Sequence, residues 1–495
     1  MNPHERFYEK VRTVADLSFA QQALEWDMQV MMPRKGTPQR AAQVAAVATL
    51  AHARMTDPEL GDLIAALEAD GSLGEAERAD VREARRGYDR SVKLPERLVA
   101  ERARAVALSH AAWEEARPKN DFAGFLPHLE TVVRLTREVA EAVGTANRYD
   151  ALLDEYEPGM TEAELREVFG DLKSRLLPLL DAIRGAPRRP DPSVLHRHFP
   201  KARQEAFSRR VAVDAGFDMT AGRLDVSAHP FTSGTLHDVR LTTRYLEDFL
   251  PAALFGTLHE AGHGMYEQGL DPARFRDPAG QACSLGIHES QSRFWENIVG
   301  RSRAFWSFYF KPLQETFPGT LDDVSLETFY GAVNHVAPSL IRVEADEATY
   351  NLHILLRFDI ESDLLAGRVE PRGLPDLWRA KMCEYLGITP PDDRDGVLQD
   401  VHWSVGLIGY FPTYALGNLY AAQFRQALLA AVPDLEARLE RGEMGAVKEW
   451  LNRNIHVHGR RWLAQELCQR VTGRPLGPEP LLGYLREKYA EIYGI

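Results

Sequence analysis

His259 and His263 stand four residues apart, with Glu260 directly after the first histidine. On a helix, positions i and i+4 share a face one turn apart, so both imidazoles reach one point. Two imidazoles arranged in this way can hold a cation. A glutamate next to the first can point into the same cleft without being a ligand, and there it can take a proton from water that the metal activates. The chemistry implied is metal-assisted hydrolysis, with Glu260 as general base.

A catalytic zinc centre keeps three protein ligands and one open position for water. The expected third ligand is Glu289, 26 residues after His263. The gap contains Asp271, Pro272, Asp277, Pro278 and Gly280, which reads as a loop between two packed helices. On the second helix Glu289, Arg293 and Glu296 share one face, while Trp295, Ile298 and Val299 take the other. Glu296 and His288 are rivals for the third position. Two histidines and a carboxylate suit Zn2+, one per chain, with Co2+ or Mn2+ as alternatives.

The elements that must position these residues are mostly helical. Around the pentapeptide, Asp248 and Pro251 mark a start, Leu254, Phe255, Leu258 and Met265 an apolar face, and Gly269 a stop. Residues 1–185 carry helical periodicity over Pro38–Arg54, Glu75–Tyr88, Pro95–Arg117, Phe125–Val143 and Thr161–Arg184, the last opening on a Thr161/Glu164 capping box. A proline-rich connection over residues 186–200 separates this region from a metal-bearing region, 201–495, expected to form one compact unit with the N-terminal helices. Strand character is confined to about Gly222–Phe231 and His237–Arg244, with a turn at Gly234. After Pro251 the chain is helical again, broken at 387–396. The expected fold is mainly α with a small antiparallel sheet beside the cleft. A strand edge next to a metal can pair with an extended peptide, so peptide hydrolysis is the favoured chemistry.

Composition narrows the class further. The chain has 495 residues, 59 basic and 72 acidic, for a net charge of −13. That balance argues against nucleic acid or an anionic membrane as partner. The first ten residues are charged rather than apolar, and no 18-residue apolar run occurs, so a cytoplasmic protein is expected. Three widely spaced cysteines, Cys283, Cys383 and Cys468, read as reduced thiols.

Six motifs in order resemble the carboxypeptidase Taq family of metallocarboxypeptidases, over about residues 229–414. They are H-P-F at His229–Phe231, D-x-R-x-T at Asp238–Thr242, H-E-x-x-H at His259–His263, H-E-S-Q at His288–Gln291, I-R-x-x-A-D at Ile341–Asp346 and G-x-x-Q-D-x-H-W at Gly396–Trp403. The first 200 residues match only in their helical character. The resemblance implies a gluzincin-like helical fold, a cytoplasmic homodimer, a divalent metal, and removal of C-terminal residues with broad specificity. It implies His259, His263 and Glu289 as ligands and Glu260 as base. Related zinc peptidases place a tyrosine twelve residues after a histidine near the oxyanion. Here that gives His402 and Tyr414, with Tyr410 as runner-up.

Attack from the C-terminus needs a fixed cation for the free carboxylate, best an arginine. Arg240 and Arg342 are the candidates, each with a structural ion pair as the competing role, to Asp238 or to Glu344 and Asp346. With His229 and Tyr410 they form the expected substrate-binding set. An aminopeptidase would need carboxylates for the substrate ammonium, often from a G-x-M-E-N segment, and none is present. A peptide-binding zinc protein with little turnover would have no need of Glu260. The paired His196/His198 and His456/His458 are expected at the surface or at caps, and Met28, Met31 and Met32 in the core.

Overall fold

The computed structural model describes residues 2–495. Helix accounts for 68% of the chain and strand for 3%, so helices set the position of nearly every functional group. The expected helical stretches appear as Thr37–Met55, Glu75–Lys93, Glu96–Lys119, Phe122–Val143 and Glu162–Gly185. Capping explains two of the starts. The Asp121 side chain accepts from the Gly124 amide, starting that helix earlier than expected, and Thr161 and Glu164 form a reciprocal capping box. The methionine cluster lies at the end of the first long helix, Pro3–Val30, and Met31 is 50% exposed rather than core.

Two compact units are woven from interleaved segments. One comprises residues 1–92, 190–333 and 420–476; the other comprises 93–189, 334–419 and 477–495. One of the crossings, Arg189 to Pro190, falls inside the proline-rich stretch. No helix among the described residues is long and apolar enough to cross a membrane.

The sheet belongs to the first unit. It contains β1 (Gly222–Val226), β2 (Thr232–Thr235) and β3 (Asp238–Thr243) in the order β1-β3-β2. β2 and β3 form an antiparallel hairpin, but β1 runs parallel to β3, so the sheet is mixed rather than antiparallel. The cause is the connection over residues 227–231, which carries the chain from one side of β3 to the other. Thr242 holds it there, its buried hydroxyl meeting Ser227 Oγ at 2.7 Å and the Phe231 amide at 2.8 Å. In the central strand Val239 and Leu241 are fully buried. Gly264 of the motif helix packs on this face: a Cβ there would lie 2.8 Å from Leu241 Cδ2.

Candidate active site

The motif helix spans Leu250–Gln268, with Pro251 in its first turn and Gly269 at its C-cap. Gly262 faces the second helix so closely that a Cβ would meet Gln291 O at 2.5 Å and Ser292 Cα at 2.7 Å. The second helix, Leu285–Arg293, is capped by Ser284, whose hydroxyl accepts from the Ile287 amide at 3.0 Å. It continues as a π-helical segment, Phe294–Val299. A π turn shifts the phase of side chains and recurs at functional sites. Here it accompanies the placement of Glu289 and Glu296 on the same pair of histidines.

Glu289 Oε2 lies 3.6 Å from His259 Nε2 and 3.4 Å from His263 Nε2. Tetrahedral ligands at about 2.0–2.1 Å from zinc stand about 3.4 Å apart, so the donor set fits such an ion. The three residues form a group able to hold a metal, with ligand atoms within 4.8 Å of one another. His288 and Glu296 take different places. Glu296 Oε2 sits 2.8 Å from His259 Nδ1, while His288 Nδ1 sits 2.5 Å from His263 Nδ1 and its Nε2 lies 2.9 Å from Glu267 Oε1. One consistent set of tautomers has each Nδ1–H of the motif histidines donating backwards, leaving both Nε2 lone pairs for a cation. Arg293 links the two carboxylates, donating to Glu289 Oε1 at 2.7 Å and to Glu296 Oε2 at 3.1 Å.

The electrostatics follow. Burial alone would raise the Glu289 pKa, but Arg293 and both histidines outweigh it and hold the carboxyl well below its ordinary range. Glu296 is likewise brought down to about 2, Arg293 and His259 overcoming burial. Burial pushes His263 down to about 3, whereas for His259 the neighbouring Glu289 and Glu296 overcome burial and raise it. Glu260 is 6% exposed, and burial raises its pKa against the opposing effects of His259 and the Thr232 hydroxyl. Thr232 Oγ1 donates to Glu260 Oε2 at 2.7 Å and so fixes the carboxylate. Thr232, Arg293 as a bridge and the role of Gly262 were not recognised from sequence. Motif spacing carries no signal for the first and last, and only the shared face of Glu289, Arg293 and Glu296 hinted at the bridge.

Two predicted substrate residues also lie in this unit, and neither approaches the histidines through a hydrogen bond or ion pair. The Arg240 guanidinium donates twice to Asp238, at 2.8 Å each, and lies over the Trp26 ring at 4.5 Å. His229 has an exposed side chain, and its carbonyl accepts from Ser227 Oγ at 2.5 Å.

The second unit brings Arg342, His402, Tyr410 and Tyr414 together. His402 Nε2 is 3.1 Å from Tyr414 Oη, and the Tyr410 ring packs on both residues at 5.5 and 5.4 Å. Arg342 lies 5.0 Å from the Tyr414 ring centre. Its ion-pair partner is Asp400, at 3.0 and 2.9 Å, not the expected Glu344 or Asp346. Asp346 is instead occupied by the Ala337, Ala348 and Thr349 amides and the Thr349 hydroxyl. A second arginine, the fully buried Arg357, donates to the other oxygen of Asp400 at 2.7 Å. Burial pushes His402 down to about 3, leaving it neutral at physiological pH.

Of the remaining histidines, His456 is buried and hydrogen-bonded to Asn452 and Gln291, not at the surface. None of the three cysteines forms a disulfide, and Cys283 is buried against the Trp462 carbonyl.

A helical fold in which two histidines and a carboxylate converge, with a buried glutamate beside them, defines a metallopeptidase-type centre. The family model described as carboxypeptidase Taq (M32) metallopeptidase matches residues 6–489, and the chain belongs to that family of metallocarboxypeptidases. The match includes the N-terminal helices, where motif resemblance was weak. The chain is 49% identical to thermostable carboxypeptidase 1 of Thermus thermophilus, covering 95% of this chain and 94% of that protein. It is 40% identical to carboxypeptidase 1 of Bacillus subtilis over 98% of both. A crystal structure of an M32 carboxypeptidase from Deinococcus radiodurans is similar with a TM-score of 0.97 at 42% identity, covering all of both chains.

Proposed function

We propose that this enzyme is a zinc carboxypeptidase that releases single C-terminal residues from peptides with little side-chain preference. The observation that carries the reading is the convergence of His259 Nε2 and His263 Nε2 on Glu289 Oε2, beside a Glu260 held by Thr232. His259, His263 and Glu289 would hold the ion, which supplies Lewis acidity to the scissile carbonyl and makes the attacking water more acidic. Glu260 takes the proton of that water and passes it to the leaving amine. Its raised pKa suits a group that must both accept and return a proton. Thr232 keeps the carboxylate from turning away between the two transfers.

We assign Tyr414 and His402 to the developing oxyanion, with Tyr410 in support, on the strength of their motif positions and their mutual hydrogen bonding. Between the two clamp candidates, charge balance favours Arg342. Asp238 already neutralises the partly exposed Arg240, whereas one carboxylate, Asp400, serves both Arg342 and Arg357. His402 beside them is neutral, so Arg342 shares the counter-charge of Asp400 with Arg357, and the α-carboxylate of a peptide would supplement it. Arg342 has five N–H bonds, of which three are engaged by Asp400 and Tyr350.

The deciding experiment is mass spectrometry of one peptide digested as the free acid, as the C-terminal amide and with an acetylated N-terminus. We expect stepwise shortening from the C-terminus of the free acid, little cleavage of the amide, and no effect of acetylation. Shortening from the N-terminus, or internal cuts indifferent to amidation, would remove the reading. Elemental analysis of the purified protein should give one zinc per chain, and light scattering should give the homodimer that the family resemblance implies.

A further inference from the structure

Glu361 lies on the helix Tyr350–Leu365 with 0% exposure, a buried carboxylate that among the described residues forms no ion pair. Three donors converge on it instead. Trp403 Nε1 reaches Oε1 at 2.8 Å, while the Gly409 amide and the Tyr149 hydroxyl reach Oε2 at 3.0 Å each. Two of these donors bracket a turn. Trp403 directly follows His402, and Gly409 directly precedes Tyr410. The turn itself is tightly specified, with positive φ at Gly406 (71°) and Gly409 (87°). A Cβ on Gly409 would press on the Leu152 backbone at 3.2 Å, so the turn lies close against the helix beneath it.

We infer that Glu361 is a positioning residue for the hydrolytic reaction: its carboxylate ties both ends of the 403–409 turn and so sets where His402 and Tyr410 present their side chains. The inference rests on the assignment of those residues to the substrate made above. A carboxylate is what the site requires, because an ionised carboxyl offers acceptors only. A glutamine would turn an NH2 group onto one of three donors, leaving buried N–H groups facing each other. Burial raises the Glu361 pKa to about 7 even against the three donors, so the anion that accepts from all of them prevails above that pH and carries a real desolvation cost. An uncharged polar residue would avoid that cost but could not hold both ends of the turn.

The test is E361Q as metal-loaded enzyme on a free-acid peptide, measuring kcat, KM, zinc content and Tm. A displaced catalytic side chain can cost up to about a hundredfold, so kcat should fall by about tenfold or more, with zinc content and KM close to wild type. W403F removes one donor and should lower kcat less. The double variant E361Q/W403F should regain part of the E361Q loss, because the amide NH2 then faces no donor at that oxygen. An E361Q enzyme with unchanged kcat, even at lower Tm, would overturn the inference, as would a kcat loss that simply tracks zinc loss. If E361Q does not fold, W403F with unchanged kcat overturns it equally. Y414F measured in parallel separates the two readings. Loss in Y414F without loss in E361Q sinks only the positioning role, whereas unchanged kcat in both removes the underlying assignment.

Discussion

The approach of the two metal-bearing helices at Gly262 can be tested with a single methyl group. A Cβ at residue 262 would sit 2.5 Å from Gln291 O and 2.7 Å from Ser292 Cα, both backbone atoms that no rotamer change can remove. Comfortable separation is about 3.5 Å, so G262A must push the helices apart by about 1 Å. Overpacking of this kind costs about 1–3 kcal/mol, and the better helix propensity of alanine returns about 1. The metal-free protein should therefore lose at most about 2 kcal/mol. Metal binding should suffer more, because ligand positions tolerate only about 0.2 Å. Glu289 lies on the displaced helix, two residues before Gln291, with Oε2 at 3.4 and 3.6 Å from the two Nε2 atoms. A weakening of about tenfold or more in zinc affinity is expected, which is about 1.4 kcal/mol per decade. The assay is chelator competition at fixed pH, with chemical denaturation of the metal-free protein alongside. G256A supplies an internal control on the same helix, since its Cβ would meet nothing closer than Thr243 Oγ1 at 3.6 Å. It should keep full affinity. If G262A binds zinc as tightly as wild type, the close approach does not set the ligand geometry.

Other expectations follow from the same contacts. E296Q weakens the acceptor behind His259 Nδ1 and should reduce zinc affinity about 10–100-fold, read by the same competition assay. D400N leaves Arg342 and Arg357 without their shared carboxylate and should destabilise the protein by about 3–5 kcal/mol in chemical denaturation. For Glu361, burial raises the folded-state pKa from an ordinary 4.5 to about 7, so the folded chain binds this proton more tightly than the unfolded chain. Its contribution to stability is full below about pH 4.5, declines as pH rises towards 7 and is flat above, a change on the order of 3 kcal/mol. Denaturation of wild type and E361Q side by side at pH 5 and pH 8 should show the stability of wild type relative to E361Q falling between the two pH values, which cancels the other titrating groups; a relative stability that rises with pH would refute the assignment.

What could be read from sequence was local. Residues four apart on a helix share a face whatever the helix packs against, so His259 and His263 could be paired before any fold was known. The same periodicity put Glu289, Arg293 and Glu296 on one face of the next helix, and proline, glycine and capping residues marked most helix ends. The six motifs then carried the family. Which carboxylate meets the Nε2 atoms and which stands behind Nδ1 depended on a π segment and on a glycine whose missing side chain lets two backbones touch. Thr232 reaches Glu260 across 28 residues, and Arg342 reaches Asp400 across 58. In the sequence, nearby carboxylates are the natural partners for Arg342 because proximity along the chain is the only distance visible, and an antiparallel sheet is the natural expectation because a hairpin is the shortest connection. Partners of that kind are selected by packing, in which long-range contacts compete with local ones. Helical periodicity is written into consecutive residues, whereas the choice among distant partners exists only once the chain has closed on itself.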